Sequence, residues 1–385
     1  MSLPGALVIE GHVQGLSNTR SLGELGIPVY VLDVNPCLAQ FSRYCKRFFR
    51  CPPFSSDDFA DFLVKLAIEE NLNGWLIMAS NDHIVEQLSR NRDRLEPYYN
   101  FLVPRSDTLE RIIDKSLLMQ EAEKCSVHIP RTYRVRESLL PEDISFPVLV
   151  KGCKGLSFYK ATHKKAIQVN DREELRRTIS LLSQWMDSSD YMVQELVESK
   201  VQDHTLSFTC FAVDGEIKTQ WMGEKLREHP IKYGTATFAQ SIFSGTALQE
   251  AVPLMRQLAY TGVCEIEFIK DRNDGLYKLI EINPRTWLWV GLAKACGIDY
   301  AKMAYWYCND IPFQFPQKYK VGVKWINGLT DVVFSIKALI LGSLSLKEYL
   351  ASFRGPKVRA IWSNKDWLPG IVFPFMSFYI SRKRK

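Results

Sequence analysis

The first hundred residues alternate between short apolar runs and segments with helical periodicity. The apolar runs have strand length and cover residues 6–10, 28–33 and 75–79, while helical patterns cover 18–26, 57–71 and 82–95. Alternation at this spacing predicts a small parallel sheet covered by helices, which is an α/β domain. Gly11 and Gly15 follow the first run, but GHVQGLS does not match the GxGxxG nucleotide fingerprint, so a tight strand-to-helix turn is favoured.

The pattern changes from about residue 111, where a helical segment over 111–124 precedes a series of β-rich segments. These cover residues 148–151, 191–197, 205–213, 216–222, 263–270 and 277–283. Asp214-Gly215 and Asp274-Gly275 are typical of hairpin turns. Strands joined by turns predict an antiparallel sheet with helices over 172–186 and 247–260 packed against it, and hence an α+β domain.

Composition and charge narrow the class of protein. A length of 385 residues suits two or three domains, and 46% apolar with 24% charged residues is typical of globular chains. Residues 382–385 contribute four charges to the net +6, so the chain lacks the generally basic surface of a nucleic-acid binder. Nine cysteines without a CxxC pair indicate buried thiols in a reducing compartment. The N-terminus shows no signal-peptide pattern, so we expect a cytoplasmic protein.

The sharpest chemical signal is the last predicted hairpin, CEIEFIKDRNDGLYKLIEINPR. Glu265 and Glu267 lie two apart on its first strand, as do Glu281 and Asn283 on its second, so each pair shares a face. A two-residue turn would split the carboxylates between faces, whereas a three-residue loop over 273–275 pairs Glu267 with Glu281 and Glu265 with Asn283. We favour the second register because it places the apolar residues together on the opposite, buried face. These residues are Ile266, Phe268, Ile280 and Ile282.

Like charges directly opposite each other on a ladder are destabilising unless a cation lies between them. Magnesium prefers carboxylate and amide oxygens, which makes it the obvious candidate cation. The alternative, which the residues alone leave open, is a solvated acidic face on an exposed sheet.

Two lysines could complement such a site. Lys151 ends the apolar strand PVLVK, an unusual place for a solubilising lysine, and Lys115 opens a helix beside Asp114. Two lysines with an acidic metal site suit a nucleoside triphosphate, although each lysine alone is more often a surface residue. The strand VQELVE leads into a polar loop and could read an adenine edge through its main chain, but an ordinary strand is the simpler interpretation.

Taken in order, Asp114-Lys115, PVLVKG, VQELVE, CEIEF and LIEINPR resemble the ATP-grasp superfamily of ligases. The segments SLGELGIPVYVLD and KLREHPIKYGT look most like its carboxylate–amine ligase branch, which includes D-aspartate ligase-like and carbamoyl-phosphate-synthase-like proteins. The resemblance implies an α/β pre-ATP-grasp domain over 1–105 and an α+β ATP-grasp domain with an antiparallel sheet over 106–310. A C-terminal helical or apolar segment with a basic tail follows over 311–385.

The resemblance also implies ATP and Mg²⁺ as cofactors and gives the motif residues roles. Lys115 and Lys151 would contact ATP phosphates, with Lys225 and Arg227 as further phosphate contacts. Arg285 would meet the transferred phosphate or the acyl-phosphate, and with Lys151 is the implied catalytic residue. The implied adenine and ribose contacts are Glu195, Leu196, Val197, Glu198 and Asp203. The implied metal ligands are Glu267, Glu281 and Asn283.

The chain departs from the family pattern in two places. Where many relatives have a glycine-rich flap, GCKGLSFYKATHKK has two glycines, and its lysines either contact phosphate or form a solvated loop over 154–165. Trp287 and Trp289 follow NPR, and packing is favoured for them over narrowing of an acceptor pocket. Asp82 either lines a substrate cleft or caps a helix, and the cap is favoured.

The last 75 residues fall outside the resemblance. Residues 325–344 predict an amphipathic helix interrupted by Lys337, and residues 367–380 are mostly apolar and precede SRKRK. This second segment is shorter than the roughly 20 residues needed to span a bilayer, and Pro369 and Pro374 argue against a straight helix. The tail either makes a peripheral contact with a membrane surface or packs on the protein with a solvated basic end.

The leading hypothesis is an ATP-dependent ligase that joins a small-molecule carboxylate to an amine through an acyl-phosphate. Such chemistry needs no protein nucleophile, in keeping with the absence of a Ser/His/Asp or Cys/His set in the sequence. The alternatives are a kinase-like or carboxyphosphate-forming relative, and a non-catalytic nucleotide-binding accessory protein of a membrane-associated biosynthetic assembly. The sequence does not identify the two substrates or the oligomeric state.

Overall fold

A computed structural model describes residues 3–135, 142–197, 205–229 and 234–383. In the N-terminal part, strands and helices alternate as the sequence predicts. In chain order these elements are β1 (Ala6–Ile9), α1 (Val13–Gly23), β2 (Val29–Asp33), β3 (Cys45–Arg50), α2 (Phe59–Glu70), β4 (Trp75–Ala79), α3 (Asp82–Arg90), α4 (Arg92–Leu95) and β5 (Tyr99–Phe101). The strands pair in parallel in the order β3-β2-β1-β4-β5, so the α/β prediction is confirmed. The edge strand β3 was not predicted because its sequence, CKRFFR, has no apolar run.

The turn between β1 and α1 is tight, and α1 begins at Val13 rather than at the predicted residue 18. A Cβ at Gly15 would lie 2.1 Å from the Glu10 carbonyl oxygen, and a Cβ at Gly11 would lie 2.3 Å from Cys37 Sγ. Only glycine permits approaches this close. The strand-to-helix turn predicted from these glycines is therefore confirmed.

The helix predicted over 111–124 is two helices, α5 (Ser106–Ile113) and α6 (Lys115–Lys124). Asp114 separates them with an extended backbone, and its carboxylate accepts hydrogen bonds from the N–H groups of Ser116 and Leu117. Such an N-cap satisfies the free N–H groups of a new first turn. The break sets Lys115 at the first position of α6.

The β-rich part forms two sheets rather than the single antiparallel sheet that the sequence predicts. The elements of the first are β6 (Thr132–Arg134), β7 (Val148–Gly152), α7 (Gly155–Thr162), β8 (Ile167–Val169), α8 (Arg172–Leu182) and β9 (Tyr191–Glu195). Its strands are antiparallel, in the order β6-β9-β7-β8. The helices α7 and α8 contribute to its separate hydrophobic core.

The second sheet has seven strands, and helices pack around it. Its part of the chain contains β10 (Leu206–Val213), β11 (Glu216–His229), β12 (Thr235–Ile242), α9 (Gly245–Gln257), β13 (Gly262–Lys270), β14 (Tyr277–Asn283), α10 (Val290–Ala295), α11 (Tyr300–Cys308), β15 (Lys324–Ile326), α12 (Gly328–Ile340), α13 (Leu346–Ser352), β16 (Lys357–Arg359) and α14 (Leu368–Lys383). The strand order is β14-β13-β10-β11-β12-β15-β16. All pairs are antiparallel except β15 with β16, which confirms the predicted strand direction for the hairpin region.

The hairpin β13–β14 has the predicted pairing at its chemical end. Glu265 lies opposite Asn283, and Glu267 lies opposite Glu281. All four side chains therefore belong to one face of this two-stranded unit, as expected from the two-residue alternation of a strand.

The physical reason for this register differs from the predicted three-residue loop. A β-bulge next to Glu267 shifts the pairing, so that Phe268 lies opposite Leu279 near the turn. Leu279 is buried, whereas Ile280, which was predicted to be buried, is only partly so. A bulge adds one residue to one strand and re-aims the side chains beyond it.

Four buried tryptophans, Trp325 among them, lie in a core that joins the N-terminal sheet to the seven-stranded sheet. Trp221, Trp287 and Trp289 are buried, with ring centroids of Trp221 5.9 Å from Trp287 and 5.3 Å from Trp289. The packing interpretation of Trp287 and Trp289 is confirmed. The nine cysteines are free thiols, as predicted.

The C-terminal helices are tied to the rest of the chain by buried ion pairs. Asp331 on α12 accepts from Arg227 Nε and Nη2, each at 2.8 Å, and Asp366 accepts from Arg20 Nε at 2.8 Å. The predicted helix over 325–344 starts later because β15 takes its first residues. Contrary to expectation, α14 continues through Pro374. Among the described residues, the helices are too short or too polar to cross a membrane.

Replacing Asp331 with alanine would leave the Arg227 guanidinium buried without its partner. We expect Asp331→Ala to lower the free energy of unfolding by about 3 kcal/mol, measured by urea denaturation. Glu216→Ala, which breaks the exposed pair with Arg256, is the matched control and should change it by less than about 1 kcal/mol. Equal effects of the two substitutions would contradict a structural role for the Arg227–Asp331 pair.

Candidate active site

The facing carboxylates of β13 and β14 are each held by a lysine from another element. Lys225 Nζ on β11 lies 3.1 and 3.2 Å from the two carboxylate oxygens of Glu267. Lys115 Nζ, at the start of α6, donates to Glu281 Oε2 at 2.7 Å. The structure thus brings four residues selected from the sequence into one cluster. Each of the like charges that face each other across the ladder is neutralised by a cation.

The electrostatics of these pairs favour the charged forms of Lys115, Lys225 and Glu281. Burial alone would lower the pKa of Lys115, but Glu281, together with the charges of Asp82 and Glu267, raises it. Burial also opposes the charge on Lys225, and attraction to Glu267 raises the pKa of that lysine. Attraction to Lys115 holds the pKa of Glu281 well below its usual range. Alternating fixed charges of this kind suit a ligand that carries both phosphate and metal.

Glu265 is held by hydrogen bonds, whereas Glu267 and Glu281 are held by lysines. It is buried and accepts hydrogen bonds from Ser207 Oγ at 2.7 Å and from Asn283 Nδ2 at 3.1 Å. Burial, reinforced by the negative charge of Glu267, raises the pKa of Glu265 to about 7. The bond to Asn283 Nδ2 fixes the orientation of that amide and directs its Oδ1 atom away from Glu265.

Lys151 lies near the end of β7 and is 8% exposed. Burial and the neighbouring charge of Lys115 lower the pKa of Lys151 to about 7, although Glu281 acts in the opposite direction. A bound anion beside the ammonium would favour its charged form. A phosphate group beside Lys151 would therefore stabilise the charged form of this lysine.

Arg285 lies in the cleft between the N-terminal part and the seven-stranded sheet. Its Nε atom is 2.6 Å from Asp82 Oδ1, and its Nη2 atom is 3.2 Å from Asn283 Oδ1. Burial disfavours the charge, but Asp82, together with the charges of Glu265 and Glu10, raises the pKa of Arg285. The favoured prediction for Asp82 was wrong, because Asn81 is the cap of α3 and accepts from the His83 N–H at 2.8 Å. Asp82 instead pairs with Arg285, and its place in a substrate cleft stays a prediction.

Glu10 is a candidate site residue that the sequence analysis missed. It follows β1 with φ of 69°, a left-handed conformation that is strained for residues other than glycine and often found at functional sites. Its carboxylate accepts from Asn81 Nδ2 at 3.2 Å and Gln14 Nε2 at 3.4 Å. Burial raises the pKa of Glu10 to about 7, and the nearby charges of Asp33 and Asp82 add to this.

A signal for Glu10 was present in the sequence. Glu10 is the last residue of the first predicted strand and Asp82 follows the third, and the carboxyl ends of parallel strands meet at one edge of a sheet, where ligands bind. Both strands are adjacent in the observed sheet. The pairing of these strand ends would have selected Glu10 together with Asp82.

The residues expected around adenine lie at the end of β9 and directly after it. Glu195 Oε2 accepts from the Arg131 N–H at 3.2 Å. The Leu196 N–H donates to the Pro147 carbonyl at 3.3 Å, so the β-sheet already uses this main-chain donor. Val197 is buried. The contact of these residues with a nucleotide base remains a prediction.

Of the three other expected ligand contacts, only Arg227 belongs to the part of the chain that the structure describes, and it does not reach the cluster. Glu198 and Asp203 lie outside the described residues. Arg227 faces the C-terminal helices, where Asp331 binds its guanidinium and the Phe238 ring lies 4.1 Å from it. Because Asp331 already neutralises its charge, Arg227 has a structural role there rather than the expected contact with phosphate.

The basic segment over 154–165 is mostly helix rather than loop, because α7 occupies it. Lys154, Lys160, Lys164 and Lys165 are all exposed. This exposure agrees with the solvated interpretation of these lysines. Their contact with phosphate remains untested.

The donor set at the hairpin fits a magnesium ion. Glu267 and Glu281 offer carboxylate oxygens and Asn283 an amide oxygen, which are the hard ligands that Mg²⁺ prefers. Within the described ranges, no three His, Cys, Asp or Glu side chains gather as a metal site. The candidate set at the hairpin has two carboxylates, and its third member is an amide. Bound metal would compete with Lys115 and Lys225 for the same oxygens.

Sequence comparison matches the same region to known proteins. The family model described as carbamoyl-phosphate synthase L chain, ATP binding domain, matches residues 239–312, which include β13, β14 and Arg285. The D-aspartate ligase of Enterococcus faecium (strain Aus0004) is 24% identical over 252 residues, which are 61% of this chain and 59% of that enzyme. This chain therefore spans less than two thirds of the length of that relative.

Comparison with solved structures shows the fold. The L-amino acid ligase from Bacillus licheniformis superimposes with a TM-score of 0.61 and 14% identity, covering 82% of this chain and 76% of that one. The biotin carboxylase domain of Hydrogenobacter thermophilus 2-oxoglutarate carboxylase, solved with magnesium ADP and bicarbonate, gives a TM-score of 0.62 and 15% identity, covering 83% and 73%. The chain has the ATP-grasp fold, and its resemblance to the carboxylate–amine ligase branch of that superfamily is confirmed.

The lowered pKa of Lys151 leads to a test of its contact with phosphate. At pH 8 most Lys151 side chains are neutral, because this pH is above their pKa of about 7. A phosphate bound beside the amine would favour the charged form, so binding of ADP at pH 8 should take up a proton. Calorimetric titration in buffers of different ionisation enthalpy measures that uptake.

The matched control is Lys151→Arg, which keeps a cation that does not titrate at this pH. Proton uptake on ADP binding should disappear in this variant while binding persists. Uptake of the same size in both proteins would contradict a contact between Lys151 and the phosphates.

Proposed function

We propose that this chain is an ATP-dependent ligase that joins a small-molecule carboxylate to an amine through an acyl-phosphate intermediate. The observation that carries the proposal is the cluster of Lys115, Lys225, Glu267 and Glu281, with Lys151 beside it. The family-model match over the same strands supports an ATP site, and the likeness to a D-aspartate ligase supports carbon–nitrogen bond formation.

In the proposed reaction, the substrate carboxylate attacks the γ-phosphate of ATP, and ADP leaves. Lys115, Lys151 and Lys225 would bind phosphate oxygens and stabilise the charge that spreads over them during transfer. When bound by Glu267, Glu281 and Asn283, magnesium would neutralise further charge on the triphosphate. The protein contributes positioning and fixed charge, and no covalent intermediate with a side chain is needed.

The acceptor side is assigned to the edge of the cleft where Arg285, Asp82 and Glu10 converge. A guanidinium binds carboxylate or phosphate oxygens through paired hydrogen bonds, so Arg285 suits the acyl-phosphate. The carboxylates of Asp82 and Glu10 suit a cationic amine on the other side of the acyl-phosphate. The amine, once deprotonated, attacks the acyl carbon and releases phosphate.

A hydroxylamine trap tests the proposed reaction. With ATP, Mg²⁺ and the correct carboxylate from a panel of amino acids and small acids, hydroxylamine should replace the amine and yield a hydroxamate. Phosphate and ADP should form in equal amounts. Nucleotide binding without ADP release for any carboxylate in the panel would contradict the proposal.

Glu281→Gln keeps the size of the side chain but removes the charge that faces Lys115 and Glu267. We expect hydroxamate formation to fall at least about 100-fold, with an unchanged far-ultraviolet circular dichroism spectrum. Glu173→Gln on the exposed surface of α8 is the control and should retain full activity. Full activity of Glu281→Gln would refute the assignment of this carboxylate to metal and nucleotide binding.

Glu10→Gln tests the assignment of the amine. With its pKa raised to about 7, Glu10 gains a proton as the pH falls from 8 to 6 and loses its attraction for a cation. The KM for the amine should therefore rise over this interval in the wild type and stay high and flat in Glu10→Gln. At any one pH, the KM for ATP should be the same in the wild type and in Glu10→Gln. A pH-dependent amine KM that persists in the variant would contradict the assignment.

A further inference from the structure

The first C-terminal helix carries its apolar side chains on the face turned away from the protein. On α12 the exposed apolar residues recur at i, i+3, i+4, i+7 and i+11: Leu329, Val332, Val333, Ile336 and Ile340. The polar residues Asp331 and Ser335, on the opposite face, are buried. A surface helix of a globular protein normally has the reverse orientation, with its apolar stripe against the core.

The rotation of α12 is fixed by what its polar face binds. Asp331 accepts from the Arg227 guanidinium and, at 3.0 Å, from Thr237 Oγ1. Turning the apolar stripe inward would break this buried ion pair and leave Arg227 unpaired. The outward position of the stripe is therefore a stable property of the fold.

The next two helices also carry exposed apolar side chains. Leu346 and Leu350 on α13 are exposed, as are Ile371 and Phe375 on α14, Phe375 to 74%. The start of α12 and the first turns of α14 border one groove of about 510 Å³, and Lys357 and Arg359 of β16 also line it. We call the exposed apolar side chains of α12, α13 and α14 the C-terminal apolar surface.

The net positive charge of the chain is concentrated in the C-terminal segment that carries this surface. Residues 328–385 contain ten Lys or Arg and three acidic residues, a net charge of +7 in a chain whose total is +6. Two of the three acids, Asp331 and Asp366, are buried in ion pairs with Arg227 and Arg20, which lie outside this segment. The third, Glu348, caps α13. The charge available to a partner here is therefore basic.

We propose that the C-terminal apolar surface binds an anionic lipid bilayer, with α12 and α14 lying in the plane of its interface. Helices with an apolar stripe flanked by lysine and arginine bind in this way, since the stripe enters the headgroup region and the cations attract anionic lipids. A second copy of this chain fits less well, because two such basic surfaces would repel each other.

The test uses the full-length chain and unilamellar vesicles. The protein should sediment with vesicles of equimolar phosphatidylcholine and phosphatidylglycerol and remain in solution with phosphatidylcholine alone. Added salt should weaken the binding, because it screens the attraction. Deletion of residues 382–385 should also weaken binding and reduce its dependence on salt.

Val333→Glu with Ile336→Glu places two charges in the centre of the stripe on α12. We expect the partition coefficient of this double variant to fall at least about tenfold, with unchanged ATP turnover and thermal midpoint. Ile68→Glu on α2, where the isoleucine is also exposed, is the matched control and should bind vesicles as the wild type does.

Three outcomes would overturn the proposal. One is the absence of binding to anionic vesicles, and another is binding that the double variant does not weaken. The third is a dimer in analytical ultracentrifugation that the double variant separates into monomers, because a second copy would then cover this surface.

Discussion

The opposition of Glu267 and Glu281 across β13 and β14 is the constraint on which the site depends. Two carboxylates facing each other on a ladder repel, and the fold offsets this with Lys225 from β11 and Lys115 from α6. These lysines reach the hairpin only because of the strand order of the seven-stranded sheet and the break between α5 and α6. Because these ion pairs are exchangeable, the carboxylates can bind a metal in place of the lysines. The lysines can then bind phosphates.

The acceptor side of the cleft depends on how the two parts of the chain pack. The buried tryptophans around Trp221 join the N-terminal sheet to the seven-stranded sheet, and this shared core holds Arg285 against Asp82. Glu10 lies at the same edge because β1 and β4 are neighbours. The carboxyl ends of parallel strands thus contribute acidic groups, while the hairpin contributes the proposed metal ligands and Arg285 follows shortly after it. The cleft is asymmetric in charge, which suits a reaction with an anionic and a cationic substrate.

Much of this arrangement follows from local pattern. The two-residue alternation in CEIEF and LIEIN predicted the pairing of the acidic residues, because only one register keeps both the carboxylates and the apolar residues together. The bulge at Ile280 could not be predicted from the sequence, since a three-residue loop and a bulge both allow Glu267 to pair with Glu281. The partners of Arg227 and Asp82 depend on contacts between residues far apart in sequence, whereas Glu10 could have been selected from its place at the end of the first strand. The amphipathic pattern of α12 was recognised, but its outward orientation is set by Asp331 and Arg227.

The central claim is that Glu267 and Glu281 jointly bind a divalent ion that contacts the triphosphate. A crystal structure with Mn²⁺ and a non-hydrolysable ATP analogue, phased at the manganese edge, tests this directly. The account predicts an anomalous peak roughly 2.1 Å from oxygens of both carboxylates and in contact with the β- and γ-phosphates. A metal bound elsewhere, with both carboxylates still paired to their lysines, would contradict it.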